Sequence, residues 1–155
     1  MTCKAIAIAF LIVAAAAPAW PRLDSEKAMY VGGTVTGLKE GSVGECSTAD
    51  EKLFAFVSPG GKVTIPYDRV NSLEYGQKAG RRVGLAIAVT PLTLLSKKRR
   101  HFLTLGYLDD NEKQQAAIFE VGKNKVRVIL TTLEARTGRK IEYQDEESRK
   151  RGLGN

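Results

Sequence analysis

At 155 residues, with 43% hydrophobic and 26% charged side chains, the chain has material for one domain built on a single core. Twenty-four Lys and Arg against seventeen Asp and Glu give a formal charge of +7. With one histidine in the chain, a triad or metal centre would have to be built on His101 with Asp, Glu or Cys46 from elsewhere, and no spacing supports one.

The chain opens Met1-Thr2-Cys3-Lys4, runs through the apolar segment Ala5 to Ala17 and reaches Ala17-Pro18-Ala19. That is the pattern of a signal peptide over residues 1–19, with cleavage after Ala19 and export to the periplasm or the exterior. The apolar segment falls short of the roughly 17 to 25 residues a spanning helix needs. Loss of the leader removes Lys4, takes the charge from +7 to +6, and leaves Cys46 as the only cysteine. An intramolecular disulfide is then impossible, and Cys46 reads as a small, partly buried strand residue.

Tyr30 to Val35 is β-branched and aromatic and predicts a strand, followed by a loop over Gly37 to Gly44 and a second strand from Val43 to Cys46. Leu53-Phe54-Ala55-Phe56-Val57 predicts a buried strand entering a hairpin at Ser58-Pro59-Gly60-Gly61. In its partner, Val63, Ile65 and Tyr67 alternate with polar or turn-forming neighbours, and Pro66 places the strand at an edge or at its end. Val70 to Tyr75 follows as another short strand.

From Gly76 the character changes. Seven Lys or Arg and no Asp or Glu stand between Tyr75 and Leu108. Arg81, Arg82, Lys97, Lys98, Arg99 and Arg100 bracket the uncharged run Val83 to Leu95, an insertion at about 76–100. Gly76, Gly80, Gly84 and Ala88 recur every fourth residue, which fits a helix with a flat face and equally a glycine-rich loop. Thirteen residues as a helix reach about 20 Å, too short for a hydrocarbon core near 30 Å, and Pro91 disfavours one unbroken helix.

Phe102 to Tyr107 and Ala116 to Val121 predict an antiparallel pair joined by the polar turn Asp109 to Lys113. His101, Leu103, Leu105 and Tyr107 share one side; even so, a histidine beside a basic cluster reads as a surface residue. Val126, Ile129, Leu130 and Leu133 fall at helical spacing, with Gly138 as the stop. Residues 144–155 read as a frayed, charged tail.

The phrases Ile65-Pro66-Tyr67-Asp68-Arg69-Val70, Ser72-Leu73-Glu74-Tyr75-Gly76, Lys97-Lys98-Arg99-Arg100-His101-Phe102-Leu103-Thr104 and Leu133-Glu134-Ala135-Arg136-Thr137-Gly138 resemble those of small exported bacterial proteins with a pleckstrin-homology-like (PH/GRAM-like) domain. The resemblance covers residues 28–143. It implies a mainly β (α+β) fold, a barrel of about six to seven antiparallel strands closed at one end by a C-terminal amphipathic helix. It also implies a binding scaffold. The phosphoinositide-binding members use several Lys and Arg on the first two strands and the loop between them, where this chain has only Lys39 beside Glu40.

No catalytic residue, cofactor site or metal site emerges. Gly60-Gly61-Lys62-Val63 is a hairpin turn and not a phosphate loop, because Phe56 and Val63 stand where Gly and Ser or Thr are needed. Nucleic acid is not expected: the chain reads as exported, and no aromatic residue is interleaved between Arg81 and Arg100 to stack on bases. Two functions fit the insertion. One is a non-enzymatic interaction module presenting a basic and apolar surface to an unknown protein partner. The alternative is a peripheral membrane protein whose residues 81–100 meet the headgroups of an acidic membrane surface.

Overall fold

The computed structural model describes residues 25–77, 100–124 and 126–154, and within them alternation of apolar and polar side chains shapes the strands. Gly61–Pro66 (β4) buries Val63 and Ile65 and exposes Lys62 and Thr64. Its hairpin partner Leu53–Ser58 (β3) buries Phe54 and Phe56, and the Ser58↔Gly61 pair closes the tight turn expected there. Ser25–Gly33 (β1) and Val43–Ser47 (β2) precede this hairpin. A tight helical turn, Tyr67–Arg69, leads into Val70–Gly76 (β5). Phe102–Leu108 (β6) and Gln114–Val121 (β7) form the expected pair, in a register that sets Leu103 opposite Phe119 and Leu105 opposite Ala117.

The eight strands form one sheet in the order β4-β3-β2-β1-β7-β6-β5-β8, where β8 is Ile141–Tyr143. Every pairing is antiparallel except that of β8 with β5. The sheet is open, with β4 and β8 as its edges. Pro66, which cannot donate to a ladder, is the last residue of that edge strand β4.

Both halves of the sheet contribute to one core, Phe54, Phe56 and Ile65 from one and Leu73, Tyr75 and Leu103 from the other. Val126–Thr137 (α1) buries Val126, Ile129, Leu130 and Leu133 in it, the stripe its spacing predicts. At the end of α1, Gly138 adopts φ 66° and donates its N–H to the Glu134 carbonyl, 3.0 Å. The left-handed conformation favours glycine there. Arg136 anchors the same end: it lies 5.7 Å over the Tyr67 ring and donates to the Asp50 carbonyl. Cys46, expected partly buried, is fully buried in the core. A second, smaller cluster of Val31, Phe102 and Ile118 is distinct from the main core.

The mainly β, α+β class is as expected, but the C-terminal end differs. The helix α1 is not the last element, the sheet has eight strands instead of six or seven, and the segment expected to fray forms Glu146–Leu153 (α2). The strand β8 is three residues long with charged and polar neighbours, so it carries no periodicity of its own. Pairing with β5 makes it a strand. The helix α2 is almost wholly polar and is defined by its ends: Asp145 caps it by accepting the Ser148 N–H at 2.7 Å, and Gly154 closes it at φ 84°.

Candidate functional site

A cleft of about 570 Å³ opens where β6 begins, β7 ends and the two helices meet. Its walls are His101, the β7–α1 turn with Lys123 and Asn124, the first turn of α1 with Val126 and Arg127, and Glu147, Lys150, Arg151 and Gly154 of α2. Four cations thus stand against one carboxylate, and that carboxylate, Glu147, accepts from Arg151 at 3.0 Å. The Nε of Arg151 is buried and has no acceptor among the described residues.

Packing of α2 builds this arrangement. The residues of α2 that face inward are small: Ser148 and Gly152 are buried, and a Cβ on Gly152 would stand 2.6 Å from the Tyr143 ring. That close approach sets Tyr143 edge-on against Tyr75, ring centroids 6.1 Å apart, and brings the last turn of α2 over the start of β6. Gln144 strengthens the join by donating Nε2 to the buried carboxylate of Glu74 at 2.8 Å and its backbone N–H to the Tyr75 carbonyl at 3.1 Å. The guanidinium of Arg127 lies against Gly154, where a Cβ would come within 2.6 Å of it.

At the floor, His101 is only 7% exposed, contrary to the surface position expected for it. Its Nδ1 lies 2.5 Å from the Tyr75 Oη, the two rings are nearly parallel with centroids 6.0 Å apart, and its carbonyl accepts the Val121 N–H. Burial lowers the His101 pKa below its usual 6.5; Arg151 and Lys123 lower it further, and Glu120 acts in the opposite sense. Burial pushes the Tyr75 hydroxyl up to about 12. The phenol therefore stays protonated and is placed to donate to Nδ1 in the neutral tautomer that accepts it. This tautomer carries its own proton on Nε2.

Of the cations singled out from sequence, Arg100 lies in the described region, half-buried and paired with Glu120 at 2.7 Å. Arg81, Arg82, Lys97, Lys98 and Arg99, the run Val83 to Leu95 and residues 1–19, read from sequence as a signal peptide, lie outside the described residues. The β5 and β6 strands are paired up to Gly76↔Phe102, so the insertion leaves and rejoins the sheet at neighbouring points beside the cleft. Lys123, Arg127, Lys150 and Arg151 were not singled out, because they come together only when α2 returns to the start of α1. The chain distributes them between apolar-stripe and tail positions, where charge reads as solvated surface.

Among the described residues, no three His, Cys, Asp or Glu side chains are grouped to hold a metal ion. No helix there is long and apolar enough to cross a membrane. No protein-family model matches the chain, and no curated protein matches it.

Proposed function

We propose that the protein is a non-enzymatic interaction module of the cell envelope or exterior, exported after cleavage near Ala19. In this reading it has a pleckstrin-homology-like core and presents the basic and apolar stretch Arg81 to Arg100 to an acidic protein partner. An antiparallel run of seven strands with an amphipathic helix packed in its core supports the scaffold. The observation that carries the binding reading is the location of positive charge. The insertion with its seven cations is rooted at Gly76 and Phe102, beside the cleft that gathers Lys123, Arg127, Lys150 and Arg151. The cleft cations and the two points at which the insertion joins the sheet therefore lie together, and a field of that sign steers acidic partners and is sensitive to salt.

Crosslinking in living cells from position 97 tests this. The expected outcome is a discrete protein adduct that is lost when Lys97, Lys98, Arg99 and Arg100 are all changed to Gln. Adducts confined to lipid, with salt-sensitive cosedimentation of the purified protein on acidic vesicles, would transfer the surface to membrane headgroups. Equal adducts from the native and neutralised chains would overturn the electrostatic reading altogether.

A further inference from the structure

The cleft itself, apart from the insertion, has the chemistry of a receptor for a small anion. Anion sites in proteins combine cationic side chains with neutral N–H donors aimed at a common point, because a multiply charged oxyanion needs both charge neutralisation and several hydrogen bonds. The cleft is lined by groups of these kinds. Lys123, Arg127, Lys150 and Arg151 line one concavity, and the sole carboxylate among its walls is already engaged by Arg151. The buried Nε–H of Arg151 has no acceptor among the described residues. His101, held at Nδ1 by the Tyr75 hydroxyl, keeps Nε2–H as its remaining donor in the cleft floor. About 570 Å³ is room for an oxyanion together with part of the molecule carrying it.

We propose that this cleft is a binding site for a doubly charged tetrahedral oxyanion of the phosphate monoester class, received by Lys123, Arg127, Lys150, Arg151 and the Nε2–H of His101. The site differs in place from the loop between the first two strands. By register, β1 begins near Val121 at the cleft end and runs past Ala117 toward its connection to β2 at the other end. Among the described residues, its walls are His101, the β7–α1 turn and the two helices.

The Tyr75–His101 pair makes the site responsive to pH. Two groups face the imidazole from the sheet: the Tyr75 hydroxyl on β5, hydrogen-bonded to Nδ1, and Glu120 on β7, which favours a proton on the ring and is itself paired with Arg100. From the helical side come Lys123 and Arg151, which repel a proton on the ring, with Arg127, Lys150 and Glu147 farther round the cleft wall. A bound dianion offsets the repulsion of these cations. It therefore favours the imidazolium, and by linkage it binds more tightly as pH falls through the range in which His101 titrates.

Sulfate is the first probe, because it remains a dianion across pH 6 to 8. In NMR titrations of the full chain at constant ionic strength, His101 ring resonances should shift saturably. The apparent pKa of His101 should rise on saturation, and the dissociation constant should fall between pH 8 and pH 6. Arg127→Gln with Lys150→Gln, both at exposed positions, should weaken binding by about tenfold or more while the melting temperature stays unchanged. His101→Gln should weaken binding and remove its pH dependence. Neutralising Arg81, Arg82 and Lys97 to Arg100 should leave sulfate binding in place, which separates this site from the partner surface.

Inorganic phosphate and vesicles containing phosphatidic acid then distinguish the sources. Competition by phosphate alone assigns a soluble phosphate, and competition by the vesicles at equal phosphate assigns a headgroup. Absence of a saturable shift at constant ionic strength would overturn the proposal. So would sulfate binding that survives the Arg127 and Lys150 changes but is lost with the insertion cations.

Discussion

At the scale of single residues, His101 governs how the protein answers to pH. A histidine held neutral in the fold and free to protonate when unfolded gives the unfolded chain the greater proton uptake. Its contribution to stability is complete above the unfolded value of about 6.5 and is lost as pH falls below that value toward the depressed folded one. Denaturant midpoints are therefore expected to drop between pH 7.5 and pH 5.5 in the native protein and to change much less in His101→Gln. Tyr75→Phe removes the hydroxyl that fixes Nδ1. It should cost about 1–3 kcal/mol, the usual effect of leaving a buried polar atom unsatisfied, and nitrogen chemical shifts should show the imidazole no longer held in one tautomer. The position of His101 was half legible in the sequence. Alternation placed it with Leu103 and Leu105 on the inner side of its strand. Its basic neighbours argued for the surface, and the cover that buries it comes from a helix fifty residues further along, beyond the reach of local pattern.

Elements with an apolar pattern were legible, and the two without one, β8 and α2, were not. Seven strands and α1 follow from apolar or β-branched runs, alternation or helical spacing, and Leu133, read as facing the sheet, is fully buried. Leu133→Asp sets an uncompensated charge there and should destabilise the domain by several kcal/mol, enough to abolish cooperative melting. The helix α2 has no apolar stripe, yet its boundary signals are all present in sequence. Asp145 stands at the cap, Glu146 and Glu147 in the first turn, Lys150 and Arg151 in the last, and Gly154 just beyond. A search for periodicity passes over such a helix, whereas a search for caps finds it. Because that cap is a single side-chain hydrogen bond, Asp145→Ala should cost about 1 kcal/mol. Circular dichroism and the melting temperature should register a small loss, and the last turn of α2, with Lys150 and Arg151, should show faster amide exchange.

For the whole molecule, sequence gave the class of fold and the concentration of charge near the β5–β6 connection, but neither the eighth strand nor the cleft. Both depend on the chain returning after α1 to lie beside β5. Ending the chain at Gly138 would remove β8 and α2 and expose the edge of β5. It would also leave the buried Glu74 carboxylate without the Gln144 amide. Such a truncation is expected to melt at a markedly lower temperature and to associate through the bared strand, as light scattering during thermal unfolding would show.

The seam between β1 and β7 carries one more consequence, which concerns time. Ala28 pairs with Val121, so the middle of the sheet is stitched from the two ends of the domain. On a growing chain, β1 has only β2 beside it until residue 121 has emerged, and the share of the core that β7 and α1 supply is still missing. The domain therefore completes its fold late and all at once. Closure of so distant a pairing belongs to the slow, millisecond-to-second class of folding reactions. A nascent chain of this kind remains threadable, open to chaperones and translocation machinery, through most of its own synthesis.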